Sequence, residues 1–408
     1  MKVRKVIVVG GGASGLMAAI SAAREGAEVT LLEQRDRVGK KILSTGNGRC
    51  NFTNEDMQSA HFRGENTELV SAVLAEFGTK DAVDFFAGLG VLSKSRNGYL
   101  YPISDQASTI LDALRLELAR LHVHSICETK VTEVIPQKNG FLVKTQNEAF
   151  SGDAVILATG GKAAPILGSD GSGYALAKAF GHTLSPVVPA LVQLKCKGQF
   201  FKSLAGVRTN ASVRLYVDGH LCAEDTGELQ LTDYGISGIP VFQVSRYASK
   251  ALYEKKAVRA EINFLPTMSE EALLRYIKQR MESLGERSAE DFLLGMFHKK
   301  VLAVLLKQAG ISPTKQANTL QEKEVKTLCE LCRHFSVEVM GTNSFEQAQI
   351  CAGGVRTSEV NPQTMESVYA KNLYLTGELL DIDGICGGYN LHWAWASGYL
   401  AGKNAAKG

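Results

Sequence analysis

The chain has 408 residues, 45% hydrophobic and 21% charged, with a formal net charge of +3 at pH 7. That is ordinary globular composition, long enough for two or three domains with substantial cores. So even a charge balance gives no electrostatic footprint for nucleic acid or a membrane surface, and no stretch is long and apolar enough for a membrane span, so both are excluded as primary partners and the default address is the cytosol.

Lys2, Arg4 and Lys5 ahead of an apolar stretch imitate a signal peptide, but glycines at 10, 11, 12 and 15 break the pattern. A nucleotide-binding turn accounts for the same residues better. Val6-Ile7-Val8-Val9 runs into Gly10-Gly11-Gly12-Ala13-Ser14-Gly15, and Glu33 follows a second apolar run, residues 29–32. This is the order of a dinucleotide-binding β-α-β unit: Gly10 makes the tight turn, Gly12 admits a pyrophosphate, and Gly15 lets the helix close on the strand. Backbone at Gly10, Gly12, Ala13, Ser14 and Gly15 is expected at the pyrophosphate, facing a helix N-terminus. Glu33, with Gln34 beside it, is expected at the ribose diol.

The glycine-rich segment 37–51 is long for a connection and reads as a functional loop. Residues 67–90 read as helical, 91–101 as a hairpin turning at Asn97-Gly98, and 107–121 as a helix. Strands are expected near 123–127, 131–137 and 141–145. The buried run 154–157 leads into Ala158-Thr159-Gly160-Gly161, a strand end that brings backbone close to a ligand. A helix at 174–180 closes this block. Residues 189–266 alternate as short strands between glycine turns, and 269–306 carry helical periodicity. Strand signals return at 335–340 and 348–355. The last block, from Leu373 through Gly377-Glu378 and Gly387-Gly388-Tyr389-Asn390 to a helix at 391–406, is a second place where backbone donors meet an electron-rich ligand.

The eight cysteines lack a regular framework and read as free thiols in a reducing compartment. Cys329 and Cys332 lie on an amphipathic helical pattern, as buried helix-face thiols rather than a redox pair, and no metal site is evident. The loop after the second strand holds only Cys50, which disfavours disulfide-reductase chemistry. The glycine cluster 168–173 lacks the strand and acid of a second nucleotide fold, so a nicotinamide donor would dock transiently. An NAD dehydrogenase would need a separate catalytic set, and the insert offers none. FAD is the stronger reading, because the glycine loop, the Ala-Thr-Gly strand end and the C-terminal Gly-Glu turn together suit one flavin site.

Further blocks make the pattern specific: Gly39-Lys40-Lys41, Ser44-Thr45-Gly46-Asn47-Gly48-Arg49-Cys50-Asn51-Phe52-Thr53-Asn54, Tyr101-Pro102-Ile103-Ser104, Pro189-Ala190-Leu191, Tyr234-Gly235-Ile236-Ser237-Gly238, and Gly377-Glu378-Leu379-Leu380-Asp381-Ile382-Asp383-Gly384. In these the chain resembles the BaiN/RdsA-like NAD(P)/FAD-dependent oxidoreductases, some of which carry the label aminoacetone oxidase family. It departs where Asp233 stands in place of a frequent His and where Ile239 separates Gly238 from Pro240.

The resemblance implies an α/β fold: a Rossmann-like FAD domain of glutathione-reductase-like topology (1–188 and 351–408), a β-barrel-like insert (189–267 and 326–350) and a small helical subdomain (268–325). It implies an FAD-dependent enzyme taking electrons from NADH or NADPH and reducing double bonds conjugated to a ketone, as some members do with 3-oxo-4,6-diene bile-acid intermediates. It also implies Lys41 and Gly46 beside the flavin or ribityl chain. Main chain at Val131 is expected at the adenine edge, Thr159, Gly160 and Gly161 along the cofactor, Gly377 and Glu378 at the ribityl or pyrophosphate, and Asn390 and Leu391 at the pyrimidine end. Candidate catalytic residues are Arg49 for a carboxylate or enolate, Tyr101, Tyr389 as proton donor, and His392 for its pKa range. Each also has a bland reading, as a loop organiser or core residue. The alternatives are an amine oxidase passing electrons to dioxygen and a non-catalytic, FAD-containing scaffold or RNA-binding protein.

Overall fold

A computed structural model describes residues 3–407; Lys2 of the signal-like pattern lies outside them. The chain divides into two compact units, one built from residues up to Val188 together with those from Gln349 onward, the other from Pro189–Ala348.

The first unit is organised by a five-stranded parallel sheet in the order Leu373–Leu375, Ala154–Leu157, Lys5–Val9, Glu28–Leu32, His124–Ile126. Its central strands are apolar on both faces, as a covered parallel sheet requires; Val6, Ile7, Val8 and Val9 are all buried. One covering layer is the helix Ala13–Arg24 packed on the C-terminal helix Tyr389–Lys407. Glycines permit the approach: a methyl at Gly398 would stand 2.3 Å from the Ser14 carbonyl oxygen, and one at Gly402 2.2 Å from that of Ala18. Three smaller sheets complete the unit: Val131–Gln137, Gly140–Thr145 and Ala149–Gly152; Thr53–Asn54 with Tyr99–Pro102 and Ser93–Arg96; and Phe62–Arg63 with Asp383–Gly384.

The second unit contains a closed six-stranded antiparallel barrel: Leu194–Cys196, Gly235–Gly238, His220–Leu231, Arg208–Val217, Val258–Asn263 and Phe335–Thr342, in that order. The helices Glu270–Leu284, Lys299–Gln308 and Glu322–Arg333 share its core, since Leu273, Leu302 and Leu328 join one hydrophobic cluster with Val213, Ile262 and Val337.

Three element readings are made more exact by the structure. The helical stretch 67–90 is two helices, Glu68–Glu76 and Thr79–Gly88. It breaks at Phe77, whose ring is buried and whose carbonyl accepts a hydrogen bond from the distant His392. The β-rich stretch 189–266 contains a 15-residue helix, Ile239–Tyr253. Pro240 falls in its first turn, where a missing N–H costs nothing. The helix Glu322–Arg333 also runs across the boundary drawn at 325–326. It carries Cys329 and Cys332, both buried and free.

Candidate cofactor and active site

Neighbouring parallel strands end on the same edge of the sheet, and that edge assembles the site. Val9, Leu157 and Leu375 close three adjacent strands, so Gly10–Gly15, Thr159–Gly161 and Gly377-Glu378, distant in sequence, become neighbours. Glu33 follows the next strand over.

The glycines of the first turn divide by what fills the space beside them. At Gly10, φ is +103° and a methyl would sit 2.5 Å from the Ala158 carbonyl oxygen; at Gly15 it would sit 1.8 Å from that of Gly10. Fold geometry forces both. Gly12 differs: its φ is an ordinary −79°, and a methyl there would meet nothing within 4 Å. Neither backbone strain nor packing within the described chain calls for glycine at 12, so the room it leaves is for a group from outside. The helix it opens has no side-chain cap and no acidic residue in its first turn. Its orphan amides and positive end therefore suit the pyrophosphate of a dinucleotide.

Glu33 is buried, and its carboxylate accepts from the Gly11 and Arg35 amides, each at 2.8 Å. Burial raises its pKa despite these bonds. Gln34 donates to the Gly168 carbonyl, and the Glu33 carbonyl receives the Thr129 amide, which brings the start of Val131–Gln137 alongside. The cluster 168–173 folds back here: the Gly171 amide donates to the Gly161 carbonyl, and Gly173 makes room for the Thr159 side chain.

Lys41 and Glu378 are 337 residues apart and form an ion pair at 2.8 Å. The other Glu378 oxygen accepts the Cys351 amide at 2.8 Å. Gly377 contributes no free backbone group, because its amide donates to Ser397 Oγ and its carbonyl accepts Trp393 Nε1. Its role is room, a methyl there standing 2.6 Å from Ser14 Oγ. Two residues that sequence reasoning missed carry buried polar atoms without a partner among the described residues: the Tyr174 hydroxyl and Asn51 Oδ1. They lie 3.2 Å and 2.8 Å from where side chains at Gly161 and Gly388 would begin. Unpaired buried groups carry a free-energy cost. Each of the two stands beside a glycine of a loop expected at the cofactor, where a bound group could supply the missing hydrogen bond. A phenol in a buried spot and an amide in a loop give no local sequence signal.

At the C-terminal loop, Asn390 clamps Gly384 with two 2.8 Å bonds, to its amide and from its own Nδ2 to the carbonyl. Leu391 lies in the first turn of the last helix. Tyr389 is buried against His61 and Phe62, at 4.9 and 5.8 Å between ring centres, and burial pushes its phenol up to about 12. His61, unnoticed in the sequence, pairs with Asp56 at 2.8 Å.

His392 leaves the catalytic set. It is fully buried, Nε2 faces the Phe77 carbonyl at 3.0 Å and Nδ1 lies 2.8 Å from the Thr53 hydroxyl. Nε2 therefore carries the hydrogen and Nδ1 accepts from Thr53. Desolvation holds its pKa down to about 4, so the ring is neutral and pins the last helix to two distant segments.

Gly46 has a left-handed backbone at φ +56° and lies against the half-buried Tyr101 ring. Burial raises the Tyr101 phenol, with the exposed Arg49 beside it acting the other way. Cys50 is fully buried, and desolvation lifts its thiol to about 12, so it is a packed loop cysteine. Among the described residues no group of three His, Cys, Asp or Glu side chains could hold a metal, and no helix is long and apolar enough to cross a membrane.

A family model described as HI0933-like protein Rossmann domain matches residues 4–404. A 3-dehydro-bile acid delta(4,6)-reductase of Clostridium scindens is 49% identical over 405 residues, 99% of either chain. A ribosomal RNA dihydrouridine synthase of Haemophilus influenzae is 29% identical over 409 residues, 98% of either chain. Among solved structures, the open conformation of a flavocytochrome c3 fumarate reductase covers all of this chain and 78% of its own, with a TM-score of 0.51 at 16% identity, a likeness of fold.

Proposed function

This chain belongs to the HI0933-like Rossmann family and is an oxidoreductase with an FAD-binding fold, and from that premise we propose that it reduces carbon–carbon double bonds conjugated to a ketone, with steroid or bile-acid enones as the substrate class and NADH or NADPH as the transient hydride source. The observation that carries this reading is the 49% identity to a bile-acid reductase along essentially the whole of both chains. The dihydrouridine synthase is related in chemistry as well, since dihydrouridine differs from uridine by saturation of a ring double bond conjugated to a carbonyl.

Bound FAD supplies the hydride chemistry, and the protein supplies binding, orientation and electrostatics. When FAD is bound, the uncapped amides around Gly12 would hold its pyrophosphate and Glu33 its ribose, and the Lys41–Glu378 pair and the unpartnered Tyr174 hydroxyl would line the rest of the cofactor. Reduction of an enone leaves an enolate that needs a donor and a carbon that needs a proton; such roles are worth about 2.7–4 kcal/mol and roughly 10²–10⁴-fold. A phenol is protonated at neutral pH in any case, and burial moves Tyr101 and Tyr389 further in that direction, so both can donate.

Anaerobic stopped-flow tests the proposal: the purified yellow protein is mixed with NADH or NADPH, then with a 3-oxo-4,6-diene steroid, air or an rRNA fragment. Bleaching by a nicotinamide nucleotide and reoxidation by the enone are expected. No bleaching by either nucleotide, or reoxidation by air alone, would sink it.

A further inference from the structure

The ribbon of Ser93–Arg96 and Tyr99–Pro102 carries, beside Tyr101, cations to which the proposed reaction gives no part. Its register sets Lys94 opposite Tyr101 and Arg96 opposite Tyr99. Side chains alternate along a strand, so these four share a face, while Leu100 and Pro102 are buried on the other. The face reaches both glycine loops: Tyr101 lies against Gly46, and a methyl at Gly387 would stand 2.7 Å from the Tyr99 ring. The Arg96 guanidinium is 5.8 Å from the centre of the Tyr101 ring.

Charge on this face is not balanced. Asp105 receives Lys94 Nζ and Arg96 Nη2 at 2.6 Å each. Arg49 is close enough to act electrostatically on both Tyr101 and Asp105. Its guanidinium, however, makes no hydrogen bond or ion pair among the described residues. Lys94, Arg96 and Arg49 surround Asp105, and the Glu55 carboxylate lies at the ribbon's turn, 3.9 Å from where a side chain at Gly98 would begin, so one positive charge is left over beside the two phenol rings. The ion pairs with Asp105 hold the ribbon, which accounts for Lys94 and Arg96; they leave Arg49 without a structural task.

Rings that stack and a guanidinium fork that takes phosphate or carboxylate oxygens are the requirements of a flat anionic ligand. We propose that this face, with Arg49 as its free cation, docks the anionic part of a reactant: the phosphates of the nicotinamide dinucleotide or the carboxylate of an acidic substrate. The reductase reading is needed only to name those two sources. The anion site itself stands on the ribbon.

Isothermal titration of the FAD-loaded protein with inorganic pyrophosphate, and separately with cholate against its methyl ester, tests the site at low salt. In Arg49→Gln/Arg96→Gln, affinity for at least one anion falls by about tenfold or more, and wild-type affinity falls with added salt. Arg208→Gln, an exposed arginine of the barrel paired with Glu228, leaves binding unchanged. Loss for pyrophosphate assigns the site to the dinucleotide; loss for cholate but not its ester assigns it to the substrate. Arg49→Gln alone breaks no bond in the fold, so it gives the answer if the double variant loses its flavin. Equal affinities in all variants, or no binding of either anion to the wild type, overturn the proposal. If the flavin is not bleached by NAD(P)H while anion affinity still drops, the reductase reading fails and the anion site stands.

Discussion

The glycine turn at residues 10–15 and the region around Tyr101 and Tyr389 belong to the same unit but are built in opposite ways. The turn works through backbone: a strand, an uncapped helix and space where side chains are missing, all within one short segment. The second region works through side chains that come from Arg49, His61, the 93–102 ribbon and the last helix, and only packing makes them neighbours. A backbone device tolerates almost no addition, whereas a side-chain device depends on which atoms face outward and which are consumed by the fold.

The sharpest way to break that distinction is to place the same methyl at two glycines. Gly15→Ala should cost about 3 kcal/mol of stability, because it meets backbone at 1.8 Å. Gly12→Ala meets nothing, so the apo protein should melt within about 1 kcal/mol of wild type while flavin retention falls. Thermal melts and the flavin-to-protein ratio read both effects; a Gly12→Ala protein that keeps its FAD would remove the pyrophosphate from this turn.

His392 tests the other side of the comparison. His392→Ala strands the Phe77 carbonyl and the Thr53 hydroxyl in the core and should cost about 3 kcal/mol. A catalytic histidine would instead lose activity at unchanged stability. Its pKa is about 4 folded against the ordinary 6.5, so the unfolded chain binds the extra proton between those values. Its stabilising contribution is complete above about pH 6.5 and declines as pH falls to 4, by roughly 3 kcal/mol. Denaturant melts of His392→Gln should be flatter over that window than those of wild type; identical slopes would return the ring to the candidate list.

A smaller effect is expected at Glu33. Glu33→Gln keeps one oxygen for the Gly11 amide but surrenders the charge, and FAD affinity should fall by about tenfold, measured by flavin fluorescence on dilution. Unchanged affinity would refute the ribose assignment. Smallest of all is a difference in labelling rate: with maleimide on the native protein, the exposed Cys222 should react well before the buried Cys50, Cys329 and Cys332. Equal rates at Cys50 and Cys222 would mean that the 45–51 loop is open.

Much of this was legible in the linear chain. The strand–glycine–helix–acid order located the first turn, and the ordered blocks from Gly39 to Leu391 carried the family resemblance. The thiols at 329 and 332 read correctly as buried because a helical period survives any tertiary arrangement. What escaped was set at a distance. The break after Phe77 has a local sign, Gly78 capping the next helix with Asp81 accepting its amide, but the partner of the freed Phe77 carbonyl is a histidine 315 residues away. The helix at Ile239–Tyr253 lies between strands and opens with the β-branched Ile239, Val241 and Val244, residue types common in strands.

Sequence by itself determined the family, the α/β class and the place of the glycine turn, because those rest on local backbone requirements that only certain residues meet. Tertiary structure alone decided which candidates are free to act. It spent His392 and Gly377 on holding the last helix, paired Lys41 with Glu378, and left Tyr174, Asn51 and Arg49 with unused polar groups, since whether a donor is satisfied depends on neighbours that no spacing in the chain records.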